Sequence, residues 1–352
     1  MNTVSYVERS PVLADNQRRT DGFILRSGKV EDAEALASLF RISYGETTHP
    51  CQNTRYIYNA IISELQEWFV LENDASIVGC SCIARRTWNR TWESCYGVVH
   101  PGARRSGGIS SLIKLSFEGF DPDPIEIGFY VPRSRAIYSI MSQIRKGVLV
   151  GHDGGPNTVY GIREYHFTAI HPPAADGFSH IAPSYVSELK SSFIKDHLYD
   201  PLGLQPINGD YPNTYFTGPS DTEEHGSFLY SCDAVADAFT VSGYTGAATT
   251  EREVFLELKS AIATWETSAY IGAYVLADKV ELISQMVKLG FVMTAYLPAW
   301  HLHAGVRFDC VMLVRHRFLQ PPQSHGFDHE VAFFDQAYSE LTQSLCLIGR
   351  NN

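Results

Sequence analysis

The segment HPGARRSGGISSLIKLSFE, residues 100–118, places two arginines, a serine and a glycine pair between a strand-like stretch and a helix-like one. A strand-to-helix turn that contains glycine leaves backbone N–H groups unpaired at the helix N-terminus, where geometry and dipole together favour an anion. Arginine adds charge-assisted hydrogen bonds to such an anion. The segment therefore predicts a phosphate-binding loop, with an ordinary connecting loop as the alternative.

The elements around this loop predict an α/β (α+β) fold, in which a mixed, mostly antiparallel sheet has helices on its faces. Hydrophobic spacing predicts helices at 30–43, 54–68 and 135–146, and strands at 22–28, 68–74, 76–88, 91–100, 125–131 and 158–170. The glycine-rich stretch 151–157 predicts a turn. Hairpins followed by alternating strands and helices are typical of this sheet.

The chain length of 352 residues and a second round of the same element order predict two domains. We expect a flexible N-terminus at 1–21 and a first domain at 22–171. A linker and irregular region, rich in Pro, Gly, Asn and Asp, follows at 172–226, and a second domain that ends in a helix occupies 227–352.

Composition limits the class of protein. The net charge of −11 argues against a general nucleic-acid binder, although a few local charges suffice for an anionic ligand. The seven cysteines are odd in number and contain no C-x-x-C pair, which favours reduced thiols in a cytoplasmic protein. Neither a signal peptide nor an apolar run of about 18 residues occurs, so no membrane span is expected.

The stretch from Val98 to Ser110 resembles the CoA pyrophosphate loop of the GNAT-type N-acetyltransferase superfamily, [Q/R]-x-x-G-x-[G/A]. Two registers are open. The register Arg105–Ser110 keeps a small final residue and is preferred slightly, because Ile109 in the register Arg104–Ile109 would block close approach of a phosphate. The resemblance covers 22–171 clearly and 227–317 more weakly. It implies acetyl-CoA, or another acyl-CoA, as cosubstrate, held by Val98, Val99, Arg104, Arg105, Ser106, Gly107, Gly108, Ile109 and Ser110.

The second domain resembles the same family with a changed loop. Its equivalent segment, SGYTGAATTEREV, has no arginine before the helix, and Glu251 and Glu253 stand in the first helical turn, where they would repel a phosphate. Thr250 and Glu253 instead have the spacing of a capping box. This favours tandem GNAT-like domains with one CoA site and a degenerate second copy.

Acyl transfer to an amine needs a base, and its leaving thiolate benefits from an acid. By the resemblance, Glu93 on the strand before the loop is the candidate base, and the pantetheine arm pairs with that strand at Tyr96–Val99. Tyr138 is the candidate general acid, although it stands further from Gly147 than the family spacing and no Gly-Phe pair follows it. Cys95 as a nucleophile is the weaker alternative to a buried small residue.

Trp300 and His301 follow the second domain's predicted strand end, and we expect them to line the acceptor side of a cleft shared by the domains. His301 and His303 would share one face, with Asp309 nearby, but no third ligand stands at a telling spacing, so no metal is expected.

The leading functional prediction is a cytoplasmic acyl-CoA-dependent N-acyltransferase, with acetyl as the expected acyl group. It would act on a small-molecule amine by direct transfer through a ternary complex, and the acidic composition favours a cationic acceptor. No nucleic-acid or membrane partner is expected, and a homodimer is left open. Two alternatives remain: a CoA-binding regulatory protein without turnover, and a GNAT-fold acyl-carrier-protein-dependent synthase or decarboxylase.

Overall fold

The computed structural model describes residues 18–351 apart from 21, 48, 121, 154, 156–163, 173–176, 188, 190–192, 220–222, 234–235, 266–267 and 318–321. Contacts divide the chain into two compact units. The first comprises Met1–Arg85 and Glu93–Pro122, and the second comprises Arg86–Trp92 and Asp123–Asn352. None of the described helices is both long and apolar enough to cross a membrane.

The first unit carries the predicted phosphate loop. Its main elements are β1 (Arg18–Thr20), β2 (Phe23–Ser27), α1 (Ala33–Tyr44), α2 (Thr54–Ile62), β3 (Gln66–Asn73), β4 (Ser76–Arg86), β5 (Thr91–Val99) and α3 (Gly108–Glu118). The strands neighbour one another in chain order, and β1 through β4 pair antiparallel. The helix α1 buries Leu36, Leu39 and Phe40 against Trp68 and Val70 of β3, so its apolar stripe covers the sheet.

The second unit is the larger one. Its main elements are β6 (Ile127–Tyr130), α4 (Arg135–Arg145), β7 (Val148–Asp153), β8 (His166–Ile170), β9 (Ser179–Ile181), α5 (Asp200–Leu202), β10 (Glu223–His225), β11 (Phe228–Asp233), β12 (Ala238–Tyr244), α6 (Glu251–Thr264), β13 (Tyr270–Leu276), α7 (Val280–Lys288), β14 (Val292–His303), β15 (Val306–His316) and α8 (Asp328–Asn351). The strand order is β6-β8-β7-β14-β15-β13-β12-β11-β10, with β9 beside β15. Only the β12–β13 and β9–β15 pairs are parallel among those with a described register.

Arg307 on β15 holds the turn between β4 and β5, whose residues Arg86–Trp92 belong to this unit. Its side chain is 0% exposed, and its guanidinium donates to the carbonyl oxygens of Asn89, Arg90, Ile125 and Trp300 at 2.5–3.0 Å. Burial lowers the pKa of Arg307 to about 9. Backbone carbonyl dipoles therefore surround the buried guanidinium charge of Arg307, whereas a carboxylate is the usual partner of a buried arginine.

The predicted fold class is confirmed: both units have mostly antiparallel sheets with helices packed on them. The element order β5-α3-β6-α4-β7-β8 recurs as β12-α6-β13-α7-β14-β15. Contacts place residues 123–171 in the second unit. Whether 22–171 and 227–352 are two copies of one fold stays a prediction.

Several local expectations were wrong. The helix α2 ends at Ile62, and residues 66–68 start β3 instead of continuing the helix. Within the predicted turn at 151–157, residues 151–153 belong instead to β7, and 154, 156 and 157 lie outside the described residues. Of the predicted flexible N-terminus, 1–17 lie outside the described residues, whereas Arg18–Thr20 pair with β2. The linker and irregular region at 172–226 stays a prediction, and within it Tyr199 and Leu202 are buried, at 3% and 2% exposure.

Candidate functional site

The loop between β5 and α3 has a left-handed backbone at two positions. Arg105 has φ +67° and Gly107, the residue before the helix, has φ +79°. No side chain caps the helix at Gly107. The Ser106 hydroxyl donates to the Ala103 carbonyl at 2.9 Å and accepts from the Gly108 N–H at 3.4 Å. Left-handed residues of this kind turn successive N–H groups toward one concave side.

The N–H groups of this loop are available to a ligand. Among the described residues' hydrogen bonds, no acceptor receives the backbone N–H of Arg105, Ser106, Gly107, Ile109 or Ser110. The helix dipole adds partial positive charge at the same place. The loop therefore presents several donors to an anion.

The arginine side chains add positive charge to the loop. The Arg104 Nε donates to the Val99 carbonyl at 3.3 Å, which keeps that side chain beside the strand end. Neither Arg104 nor Arg105 forms an ion pair within the described part of the chain. Both guanidinium groups can therefore bind phosphate oxygens without first leaving a carboxylate.

Gly108 is required for close packing of the helix start. A Cβ at this position would lie 2.5 Å from Leu71 Cδ2, and Leu71 is itself 0% exposed in the core. The glycine therefore lets the first turn of α3 lie directly on β3. This fixes the height of the donor-rich loop above the sheet.

The start of α6 in the second unit already has its own acceptors. The Glu253 carboxylate accepts from the backbone N–H of Thr249 and Thr250, and the Thr250 hydroxyl accepts from the Glu253 N–H at 3.3 Å. The Thr250 hydroxyl also donates to the Glu253 carboxylate at 2.9 Å, and this bond, followed by those from the two backbone N–H groups, lowers the pKa of Glu253. Glu251 accepts from the Leu282 N–H at 2.8 Å. The predicted capping box is confirmed: the Glu253 carboxylate accepts from N–H groups at the start of α6, whereas the Glu251 carboxylate binds the first turns of α7.

In the second unit, a segment of the chain also lies between β12 and β13, beyond the point where these two strands stop pairing. The strands β12 and β13 pair only through Ala238–Val241 and Tyr270–Ala273. Beyond that point Thr217 N–H donates to the Tyr274 carbonyl at 2.9 Å, and Leu276 N–H donates to the Tyr215 carbonyl at 3.0 Å. We call Tyr215–Gly218 the plug segment.

Gly218 lets the plug segment approach β12. A Cβ on Gly218 would lie 2.2 Å from the Cβ of Ser242 on that strand. Phe216, at 2% exposure, forms an antiparallel bridge with Val275 of β13. The chain's own backbone therefore occupies the space between these two strands.

Glu93 lies on β5 and is half-buried, and it interacts with neighbouring groups. Cys95 lies beside the buried thiols of Cys51, Cys80 and Cys82. Burial raises the pKa of those three thiols, which keeps them protonated. The surroundings of Cys95 are thus those of a packed thiol cluster more than of an activated nucleophile.

Tyr138 lies on α4, half-buried, and its hydroxyl donates to the Gly147 carbonyl at 3.3 Å. Burial raises the pKa of Tyr138, so the phenol is protonated at neutral pH as an acid must be. Its ring stacks at 6.4 Å from Tyr130 and meets Phe327 edge-on at 6.1 Å. The proton of Tyr138 already has an acceptor in the structure.

Trp300 is 5% exposed and packs against Phe129 at 5.1 Å and Tyr274 at 6.5 Å between ring centroids. His301 Nδ1 lies 2.9 Å from the Thr217 hydroxyl, in the plug segment. Burial lowers the pKa of His301 to about 4, so the imidazole is neutral at pH 7. The described side chains include no group of three or more His, Cys, Asp or Glu residues suited to a metal ion.

Asp309 is the centre of a buried polar cluster that was not predicted from the sequence. Its carboxylate, at 0% exposure, accepts from Ala299 N–H at 2.7 Å, Tyr296 O–H at 2.6 Å, His180 Nε2 at 2.5 Å and Tyr199 O–H. His180 and Tyr199 come from the predicted irregular region, so no local pattern could have linked them to β15. The cluster supports a left-handed turn at Ala299, which has φ +52°.

Comparison with known proteins gives structural matches only. No family model and no curated protein sequence matches the chain. The ribosomal-protein-S5-alanine acetyltransferase from Vibrio fischeri covers 46% of this chain and 98% of its own, at 13% identity and a TM-score of 0.37. An N-acetyltransferase from Staphylococcus aureus Mu50 covers 42% and 96%, at 14% identity and a TM-score of 0.34. A mutant spermidine N-acetyltransferase from Vibrio cholerae covers 43% and 94%, at 13% identity and a TM-score of 0.35. Nearly all of each of these enzymes thus corresponds to less than half of this chain.

Proposed function

We propose that this protein is an acyl-CoA-dependent N-acyltransferase that transfers an acetyl group to a small-molecule amine. The observation that carries the proposal is the loop after β5, where, among the described residues, five N–H groups have no acceptor and two adjoining arginines form no ion pair. Such a loop suits a pyrophosphate.

The fit to CoA can be stated residue by residue. Arg104 and Arg105 with the loop from Ser106 to Ser110 would hold the pyrophosphate, and the end of β5 at Val98 and Val99 would hold the pantetheine arm. The arm would bind as an added strand, through main-chain hydrogen bonds. We propose this arrangement for the first unit alone.

Glu93 is the proposed base in this reaction. The amine attacks the thioester carbonyl carbon, the C–S bond breaks, and the ammonium proton passes to the carboxylate directly or through water. Tyr138 is the proposed acid that protonates the leaving thiolate. Because its hydroxyl donates to Gly147, that role requires the hydrogen bond to break.

The acceptor is proposed to be a small, cationic amine in the cytoplasm, and Trp300 and His301 are proposed to contact it. A neutral His301 would accept a hydrogen bond from an ammonium group. The burial of Trp300 supports packing at least as strongly as contact with a substrate.

One observation favours a second candidate, a CoA-binding regulatory protein without turnover. The proton of the candidate acid Tyr138 is engaged with the Gly147 carbonyl. Such a protein would bind CoA through the same loop and release no thiol.

The experiment is a panel of small amines incubated with acetyl-CoA and the full chain, with release of CoA thiol as the readout. Thiol release that depends on one class of amine, and that is lost in Arg105→Glu, supports the transferase. Tight CoA binding with no release for any amine would favour the regulatory protein. Absence of CoA binding would exclude both.

A further inference from the structure

Tyr96 has a backbone conformation that strands rarely contain. It lies within β5 and has φ +53°, in the left-handed region that disfavours residues with a side chain. Such a residue persists only where its surroundings hold it, and it often marks a functional position. The Trp68 ring stacks on the Tyr96 ring at 5.6 Å with 6° between planes, and Cys80 Sγ donates to the Tyr96 carbonyl at 3.5 Å. The phenol is thereby held in one place.

A chain of side-chain hydrogen bonds leads to the Tyr96 hydroxyl. The Trp68 indole N–H donates to Gln66 Oε1 at 3.1 Å. This bond sets the amide orientation, so Gln66 Nε2 donates to the Tyr56 hydroxyl at 2.9 Å. The Tyr56 and Tyr96 hydroxyl oxygens lie 3.2 Å apart. All four residues belong to the first unit.

Among the described residues, a count of O–H protons leaves one proton of this hydrogen-bond series without an acceptor. Two phenols have two O–H protons, and the bond between Tyr56 and Tyr96 uses one of them. In the described part of the chain no acceptor receives the other. A phenol oxygen has two lone pairs, so Tyr56 can accept from Gln66 and still bond Tyr96 in either direction. In the arrangement in which every donor points the same way along this series of hydrogen bonds, Tyr56 donates to Tyr96. The Tyr96 O–H is then the donor at its end.

We propose that Tyr96 donates this hydrogen bond to the acyl oxygen of the bound thioester. The inference rests on the proposed function. Tyr96 stands three residues before Val99, about 10 Å along the strand that leads into the phosphate loop. A pantetheine arm that starts at the loop and follows β5 therefore passes it.

The hydrogen bond strengthens as the acyl oxygen gains negative charge. The amine nitrogen bonds to the carbonyl carbon, the C–S bond breaks, and the electron pair leaves with the CoA sulfur. Tyr96 keeps its proton throughout. Burial raises the pKa of Tyr96 above its ordinary value, which suits a donor that does not transfer its proton. Tyr56 and Gln66 are positioning residues, and a polarised chain strengthens its terminal donor.

The direct test is isotope-edited infrared spectroscopy of acetyl-CoA, labelled with carbon-13 at the acetyl carbonyl and bound to the full chain. The thioester carbonyl band should lie at lower frequency on the wild-type protein than on Tyr96→Phe, since one donor is lost. Tyr56→Phe should give an intermediate band, because Tyr96 remains but is no longer polarised. Tyr58→Phe is the matched control: this α2 tyrosine is 45% exposed and should leave the band unchanged.

Kinetics give a second readout. Tyr96→Phe should lower kcat by about 10²-fold, the usual effect of one lost oxyanion donor, with little change in acetyl-CoA Kd. Tyr56→Phe should lower kcat a few-fold, and it tests the chain independently if Tyr96→Phe fails to fold. An identical carbonyl band in wild type, Tyr96→Phe and Tyr56→Phe would overturn the inference while leaving the transferase intact. Failure of the wild-type protein to bind acetyl-CoA would overturn both.

Discussion

The Glu253 carboxylate accepts two hydrogen bonds from Thr250, the residue that caps its own helix. The Thr250 backbone N–H donates at 3.2 Å and the Thr250 hydroxyl donates at 2.9 Å. The helix after β5 begins instead at Gly107, without a side-chain cap. We expect an uncapped helix N-terminus to attract an anion, and one that already holds a carboxylate to disfavour a further anion. This contrast is the physical basis for the proposal that only the first unit binds CoA.

Arg105→Glu should raise the Kd for CoA by about 10- to 100-fold, because it removes one or two charge-assisted hydrogen bonds and adds repulsion. Calorimetric titration measures the change. Arg55→Glu is the matched control, since Arg55 is an exposed arginine on α2 of the same unit. Equal losses in the two variants would mean that overall charge, and not the loop, governs binding.

Glu93→Gln should lower kcat by about 10²-fold if Glu93 is the base. The loss should shrink at high pH, where free amine is abundant, so the pH–rate profile is the informative measurement. If Glu93→Gln has the pH–rate profile of the wild-type protein, Glu93 is not the base. A water relay, or an acceptor amine that binds in its deprotonated form, would then replace it.

The elements near the phosphate loop could be predicted because their patterns are local. Stretches rich in β-branched and aromatic residues, separated by Asn-Asp and Asn-Arg turns, predicted β3, β4 and β5. In the second unit, the spacing of Thr250 and Glu253 predicted the capping box that the structure has. The end of α2 could not be predicted, since its helical pattern continues to Trp68. Glu64 instead takes φ +57°, and Trp68 becomes 2% exposed by pairing with Cys82 of β4.

The missed features all depend on contacts distant in sequence. The plug segment Tyr215–Gly218 has a loop-like composition, and only its fit between β12 and β13 makes it part of the sheet. Arg307 has no sequence pattern that predicts its burial, because the carbonyls of Asn89, Arg90 and Ile125 that accept from it lie more than 180 positions away. Likewise no sequence spacing links Tyr56 to Tyr96.

Trp300→Ala should lower the free energy of unfolding by about 3–5 kcal/mol, because it empties a buried site beside Phe129 and Tyr274. Denaturant unfolding measures this. The acceptor role predicts in addition that Trp300→Phe raises the acceptor KM without changing CoA affinity. A normal KM in Trp300→Phe would leave Trp300 as a packing residue alone.

His171 should make the protein less stable in mild acid. Its ring lies between those of Trp92 and Tyr130, and burial lowers its pKa from 6.5 to about 3. As pH falls from 7 to 5, the unfolded chain gains a proton that the folded chain does not, which costs about 2 kcal/mol of stability. His171→Phe should remove that share of the loss.

Urea unfolding at pH 7 and pH 5 measures this loss of unfolding free energy. His329→Phe, at an exposed position of α8, should keep the full acid loss. If His171→Phe loses as much stability as the wild-type protein between the two pH values, the buried imidazole of His171 is not the source.

The central claim is that one unit holds CoA and the other is closed by its own carboxylates and its own backbone. Isothermal titration of CoA into the full chain tests it most directly, because the midpoint gives the number of sites. One CoA per chain in the wild-type protein, with binding weakened in Arg105→Glu and unchanged in Glu253→Gln, is the expected result. Two CoA molecules per chain, or unweakened binding in Arg105→Glu, would contradict it.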